Sequence, residues 1–77
     1  MELNERSVEL AIMGELVRDQ VPVTVFLANG FQLRGVIARY DLLVIVLLCD
    51  DQQQIIYKHS ISSITPSKLL NAAKPRK

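Results

Sequence analysis

The sequence predicts a mainly β domain: an N-terminal helix, then five short strands that curl into a small barrel or pack as a sandwich. Three observations carry that expectation. Residues 21–65 are rich in β-branched residues and break into short runs at close spacing, the pattern of an all-β barrel or sandwich. Asn29-Gly30, following VPVTVFL, is among the strongest short hairpin signals. Residues 1–20 read differently, with apolar residues recurring every four positions and no proline before Pro22.

The helix is expected over about residues 5–18. Asn4 can cap it, and Glu5 in the first turn suits the helix dipole. Val8, Ile12 and Leu16 define one face with Ala11 beside it, while Leu10, Met13 and Val17 fall on a second side. So broad an apolar arc suits a helix that packs on a sheet and also touches a neighbour. Gly14 weakens its middle by about 1 kcal/mol relative to alanine. Pro22 ends the pattern and holds Val21 extended. A two-residue Asn29-Gly30 turn pairs Phe26 with Leu33 and Thr24 with Gly35. Gly35, inside the second strand, points to a bend or bulge there. That strand runs to Tyr40; Asp41 and Leu42 turn into VIVLLC, and Asp50-Asp51 turn into QQIIYK. ISSITP is a short fifth strand after a Lys58-His59-Ser60 corner. The apolar run Leu42–Cys49 does not alternate, which implies that both its faces are covered. Residues 1–66 thus form the domain, and 67–77 read as a mobile basic tail.

Size and composition set limits. A chain of 77 residues makes one domain. Hydrophobic residues make up 49% of it, which excludes a disordered chain but exceeds what so small an interior can hide. Self-association is the common remedy. The single cysteine, Cys49, cannot form an intrachain disulfide, and no apolar run approaches the roughly 20 residues of a membrane helix. The N-terminus lacks the basic start and apolar stretch of a secretory signal, so a cytoplasmic location is expected. The net charge of +1 conceals segregation: residues 1–20 carry −3, residues 21–57 carry −1, and residues 58–77 carry +5.

Catalysis is not expected. His59 is the only histidine, so a histidine-rich metal site cannot form within one chain. Ser60 and Ser62 flank it, but no carboxylate lies nearby in sequence to orient the ring. Turn chemistry accounts for Asp50 and Asp51, and three glycines make no phosphate-cradling loop. No metal, cofactor or small-molecule substrate is implied. Binding fits better. Phe26 and Phe31 flank the hairpin with Gln32 and Arg34 beside them, a platform on which unpaired bases stack, although burial in a core is the ordinary fate of phenylalanine. At the Lys58-His59 corner, lysine can contact phosphate and histidine can stack or hydrogen-bond; the plainer alternative is a structural turn histidine.

YKHSIS at Tyr57–Ser62, preceded by a short helix and by VFLANGFQLRG at Val25–Gly35, resembles Hfq, the family of bacterial Sm-like RNA chaperones. The likeness covers roughly residues 7–66 in order and spacing. It implies an Sm-like fold, a helix on a strongly bent five-stranded antiparallel sheet. It further implies a homohexameric ring in which the fourth strand of one subunit pairs with the fifth of the next. The partner implied is single-stranded RNA, in the service of small RNA–mRNA regulation.

The resemblance implies two RNA faces and a rim. On the distal face, which takes adenine-rich strands, Phe26, Asn29, Gly30, Phe31, Gln32, Leu33, Gln54 and Ser63 hold the matching positions, and GFQLRG looks like the Gram-positive variety. On the proximal face, which takes uridine-rich ends, Lys58 and His59 match. Leu43 stands there in place of a stacking aromatic, and Glu9 in place of a glutamine that reads uracil. On the rim only Arg18 of Val17-Arg18-Asp19-Gln20 matches an arginine cluster. These departures imply a divergent paralogue that binds oligouridylate more weakly than oligoadenylate. They also keep open a ring that has lost most RNA function and serves as a structural or protein-interaction module.

Overall fold

The structure is a computed structural model and describes residues 5–73. The helix, α1, spans Glu5–Arg18. The strands are β1 (Pro22–Leu27), β2 (Gln32–Tyr40), β3 (Val44–Cys49), β4 (Gln52–Tyr57) and β5 (Ile61–Pro66). A 3-10 turn at Lys58–Ser60 makes the corner between β4 and β5, and a second covers Asn71–Ala73. All five strands join one antiparallel sheet in the order β4-β3-β2-β1-β5, which leaves β4 and β5 as open edges. The capping role expected of Asn4 lies outside the described residues, as do Lys74, Arg76 and Lys77 of the basic end.

α1 ends in a two-bond closure. The Val21 N–H donates to the Leu16 carbonyl at 3.1 Å and the Gln20 N–H to the Val17 carbonyl at 3.3 Å. Gln20 takes the left-handed position, φ 50°, usually given to glycine. Val21 and Leu16, which flank this cap, are both 1% exposed, so the closure is sealed by apolar packing.

The first hairpin differs from the expected one by one residue. Phe26 pairs with Gln32 and Thr24 with Arg34, not with Leu33 and Gly35. A two-residue type I′ turn needs positive φ at both Asn29 and Gly30, and only Gly30 has it, at 94°. Asn29 instead accepts the Phe31 N–H on its side-chain oxygen at 3.0 Å, and the Gly30 N–H donates to Leu27. The loop is therefore Ala28-Asn29-Gly30, a turn ending in a left-handed glycine. Because side chains alternate, this one-residue change decides which residues share a face.

Gly35 is not a bulge either: register runs unbroken through it. Breaks fall between Phe26 and Leu27 on β1 and between Ile37 and Arg39 on β2, and bulges of this kind bend and twist a sheet. Gly35 serves a close approach instead, since a Cβ there would lie inside contact with the Leu48 carbonyl oxygen of β3.

The sheet's inner face supplies Val23, Val25, Ile37, Ile45, Leu47 and Ile56 to a core completed by Met13, Leu16 and Val21. The helix presents Met13 and Leu16, flanked by Ile12 and Val17, while Val8 and Leu10 stay exposed at 38% and 52%. The expectation that β3 is covered on both faces fails within one chain. Ile45 and Leu47 are buried, but Leu48 is 42% exposed and Leu42 and Leu43 about 70%. The surplus of apolar surface anticipated from composition is thus visible, including Ile55 and Tyr57 on edge strand β4.

The chain past Pro66 does not leave the domain at once. Leu70 is 3% exposed and joins the core, and Glu15, itself buried, accepts the Asn71 N–H at 2.9 Å and the Ala72 N–H at 2.8 Å. The Ala72 and then the Asn71 amide hold the Glu15 carboxyl below its usual 4.5. A depressed folded pKa contributes stability that is fully present above the unfolded value and lost as pH falls through the folded one. In a pH titration followed by NMR, the Asn71 and Ala72 amide resonances are expected to move together as Glu15 is protonated, with a shared midpoint below pH 4.5. A shared midpoint above 4.5 would contradict the clasp.

Candidate nucleic-acid interface

Register determines what the outer face of the sheet offers. Phe26 pairs with Gln32 on one side and Ser63 on the other, so β2, β1 and β5 present a row Gln32–Phe26–Ser63, about 10 Å across. The inner face is the one committed to the core, so Phe26 is half-buried among polar neighbours rather than packed inside. Phe31, just past the hairpin, is 67% exposed. An aromatic ring flanked by an amide and a hydroxyl can stack a base and bond to its edge.

Two residues further along the strands, roughly 7 Å away, Arg34, Thr24 and Thr65 form a parallel row. Arg34 and Thr65 are exposed. Arg34 is legible from the sequence as a neighbour of the platform, whereas Thr24 and Thr65 are not. Their signal was the period-2 alternation from Phe26 and Ser63, readable only once the register is known. A guanidinium flanked by hydroxyls provides donors suited to a phosphate oxygen.

The other distal candidates do not share this row. Leu33 pairs with Val25 and Gln54 with Leu47, both on the inner side of the sheet. With Asn29 they line a cavity of about 380 Å³ that also includes Tyr57 and Ser60. Gly30 does not line it but, with its φ of 94°, shapes the hairpin loop that carries Asn29. The distal residues therefore divide into an outer row and a cleft between the hairpin and β4. Tyr57 and Ser60, not singled out for this side from sequence, close the cleft.

Leu43, Lys58 and His59 come together at the corner. The Lys58 N–H donates to the Leu43 carbonyl at 2.8 Å, and the Leu43 side chain is 71% exposed. His59 stacks on Tyr57, ring centroids 5.7 Å apart at 30°. The Lys58 ammonium donates to Glu9 Oε2 at 2.8 Å, joining the corner to the helix. Asp41 fixes the adjoining turn by accepting the Leu43 and Val44 N–H groups on one oxygen. The Val44 and Leu43 amides, with help from Lys58, hold its carboxyl below the usual range. At the end of α1, Arg18 is engaged by its neighbour Asp19 at 2.9 Å. Cys49 takes no part: burial and then Asp50 push its thiol up, away from the reactive thiolate form.

Comparison with known proteins agrees with this fold. The family described as Hfq protein matches residues 11–71. The chain is 49% identical over 59 residues to the RNA-binding protein Hfq of Moorella thermoacetica, a match covering 77% of this chain and 70% of that protein. Its likeness to the RNA-binding protein Hfq of Clostridium kluyveri is 45% over 53 residues; the match covers 69% of this chain and 65%, just under two thirds, of that relative's length. A crystal structure of the pleiotropic translational regulator Hfq aligns with a TM-score of 0.73 at 41% identity, covering 75% of this chain and 97% of that one.

Proposed function

Since the chain belongs to the Hfq family, of mainly β, Sm-like fold, we propose that it is a single-stranded RNA-binding protein acting as a homohexameric ring with RNA chaperone function. Adenine-rich strands lie on the outer face, and through them the ring influences pairing between small RNAs and mRNAs. The observation that carries this reading is the row Gln32–Phe26–Ser63 beside exposed Phe31. Stacking supplies affinity, the amide and hydroxyl read base edges, and Arg34 takes the backbone phosphate.

The ring is supported by the open edges of β4 and β5. Unpaired edge strands carrying exposed apolar side chains such as Ile55 and Tyr57 invite pairing with another chain. Joining β4 of one subunit to β5 of the next satisfies both edges and closes if the rotation repeats. Repetition also multiplies weak single-site binding, because linked nucleotides engage successive sites at high effective concentration.

A second reading, a ring that has become a structural or protein-interaction module, is favoured by one observation. Two of its candidate RNA-contacting cations, Lys58 and Arg18, are each paired with a carboxylate of their own chain. Titration with fluorescent oligonucleotides at low salt separates the two readings. Oligoadenylate is expected to bind, and oligouridylate to bind more weakly. Absence of oligoadenylate binding by a chain that light scattering finds hexameric would favour the structural module. A monomer at micromolar concentration would remove the ring.

A further inference from the structure

We propose that the cavity between α1 and the β2–β3 turn is a guanine site, closed to uracil and to phosphate by the Glu9–Lys58 pair. The inference rests on the RNA-binding reading and deepens it: it names the base selected at the Lys58 corner, which the resemblance associates with uridine, and it is separate from the Phe26 row.

The cavity holds about 380 Å³ and is lined by Glu9, Leu10, Tyr40, Asp41, Leu42 and Lys58. That volume lies within the range of small-molecule sites, and Tyr40 with the two leucines gives it walls against which a flat base can lie. Its polar groups are one ammonium and two carboxylates. The Lys58 side chain is only 25% exposed and its ammonium is held at 2.8 Å by Glu9 Oε2. Asp41 is fixed by two backbone amides. A phosphate entering here has to displace Glu9 from Lys58 and then face two negative groups against one positive. The cavity is therefore not an anion site.

Base edges meet this pair differently. Guanine presents N1–H and N2–H side by side, two donors for one carboxylate, with O6 adjacent as an acceptor for an ammonium. Uracil presents a single N3–H between two carbonyl oxygens, so one oxygen is forced against the carboxylate. Adenine and cytosine place a bare ring nitrogen beside their amino group, and that lone pair also opposes a carboxylate oxygen. Each Glu9 oxygen has two lone pairs, and with its side chain 52% exposed Glu9 can hold Lys58 and still accept from a base. Only guanine satisfies carboxylate and ammonium together without opposing lone pairs.

The test uses the full chain and fluorescent hexamers UUUUUU and UUGUUU, with an adenine-rich strand as control. A single guanine avoids strand self-association. The guanine-containing hexamer is expected to bind about tenfold more tightly or better, the scale of one bidentate base contact. Glu9→Gln, half-exposed and outside the core, is expected to abolish that preference by strengthening hexauridylate and weakening the guanine strand. Adenine-rich binding is expected to be the same in both proteins. Equal binding of the two hexamers, or a guanine preference that survives Glu9→Gln, overturns the inference while the adenine control leaves the RNA-binding reading standing. If no strand binds, adenine-rich included, the RNA-binding reading fails and this inference falls with it.

Discussion

Phe26→Ala is expected to weaken oligoadenylate binding by roughly 5- to 150-fold for each base that loses its stack, the equivalent of about 1–3 kcal/mol. In a strand that spans several subunits the losses compound, so a long oligoadenylate falls below detection where a short one is merely weakened. The fold survives the change. Phe26 stands on the outer face between Gln32 and Ser63, while the core is assembled from Val23, Val25 and their partners on the inner face. Phe31→Ala behaves similarly, because a ring 67% exposed contributes little to packing and has its face available to a base. Fluorescence anisotropy measures the affinity, and a thermal melt shows that little stability is lost. A correctly folded Phe26→Ala protein that binds oligoadenylate as well as the unaltered chain would reject base stacking at this face.

The elements were largely legible in the sequence, because their signals are local. Apolar residues between Asp41 and Asp50 bound β3, β-branched runs mark β1, and the stretch from Glu5 to Arg18 contains no helix breaker but Gly14. Faces were less legible, because they depend on register, and register depends on how one turn satisfies its hydrogen bonds. Asn29-Gly30 admits a two-residue turn or a longer one. The choice went to the Asn29 side chain bonding the Phe31 amide, and that moved Phe26 from opposite Leu33 to opposite Gln32. The outer row follows from that single residue of difference. Contacts whose partner is backbone were not legible at all. Nothing in the spelling of Glu15 announces that it clasps the amides of Asn71 and Ala72, and so the ordered chain outruns the boundary expected at residue 66. The Glu9–Lys58 pair joins residues 49 apart in sequence; the departure at Glu9 was visible, but its partner was not.

Gly35→Ala is expected to destabilise the domain, and Gly14→Ala to stabilise it, although the chemical change is the same. A methyl group on Gly35 meets the Leu48 carbonyl oxygen inside contact distance, the Leu48 carbonyl carbon at 3.0 Å and Cys49 Sγ at 3.3 Å. Two of these are backbone atoms, which cannot rotate aside as a flexible side chain does. Relief requires β3 to move from β2, yet β3 is paired with β4 along its whole length and places Ile45 and Leu47 in the core. Overpacking of this kind costs about 1–3 kcal/mol. In a domain this small each kcal/mol corresponds to roughly 4–8 °C in Tm. A fall on the order of 10 °C is therefore expected, together with weaker oligoadenylate binding, because Arg34 and Gln32 ride on the same strand. At Gly14 nothing lies within 4 Å of the added carbon, so alanine there gains up to about 1 kcal/mol of helix propensity and meets no opposing contact. Thermal melts of the two variants beside the parent decide the matter. A Gly35→Ala protein that melts with the parent would mean that β2 and β3 do not approach as closely as their register requires.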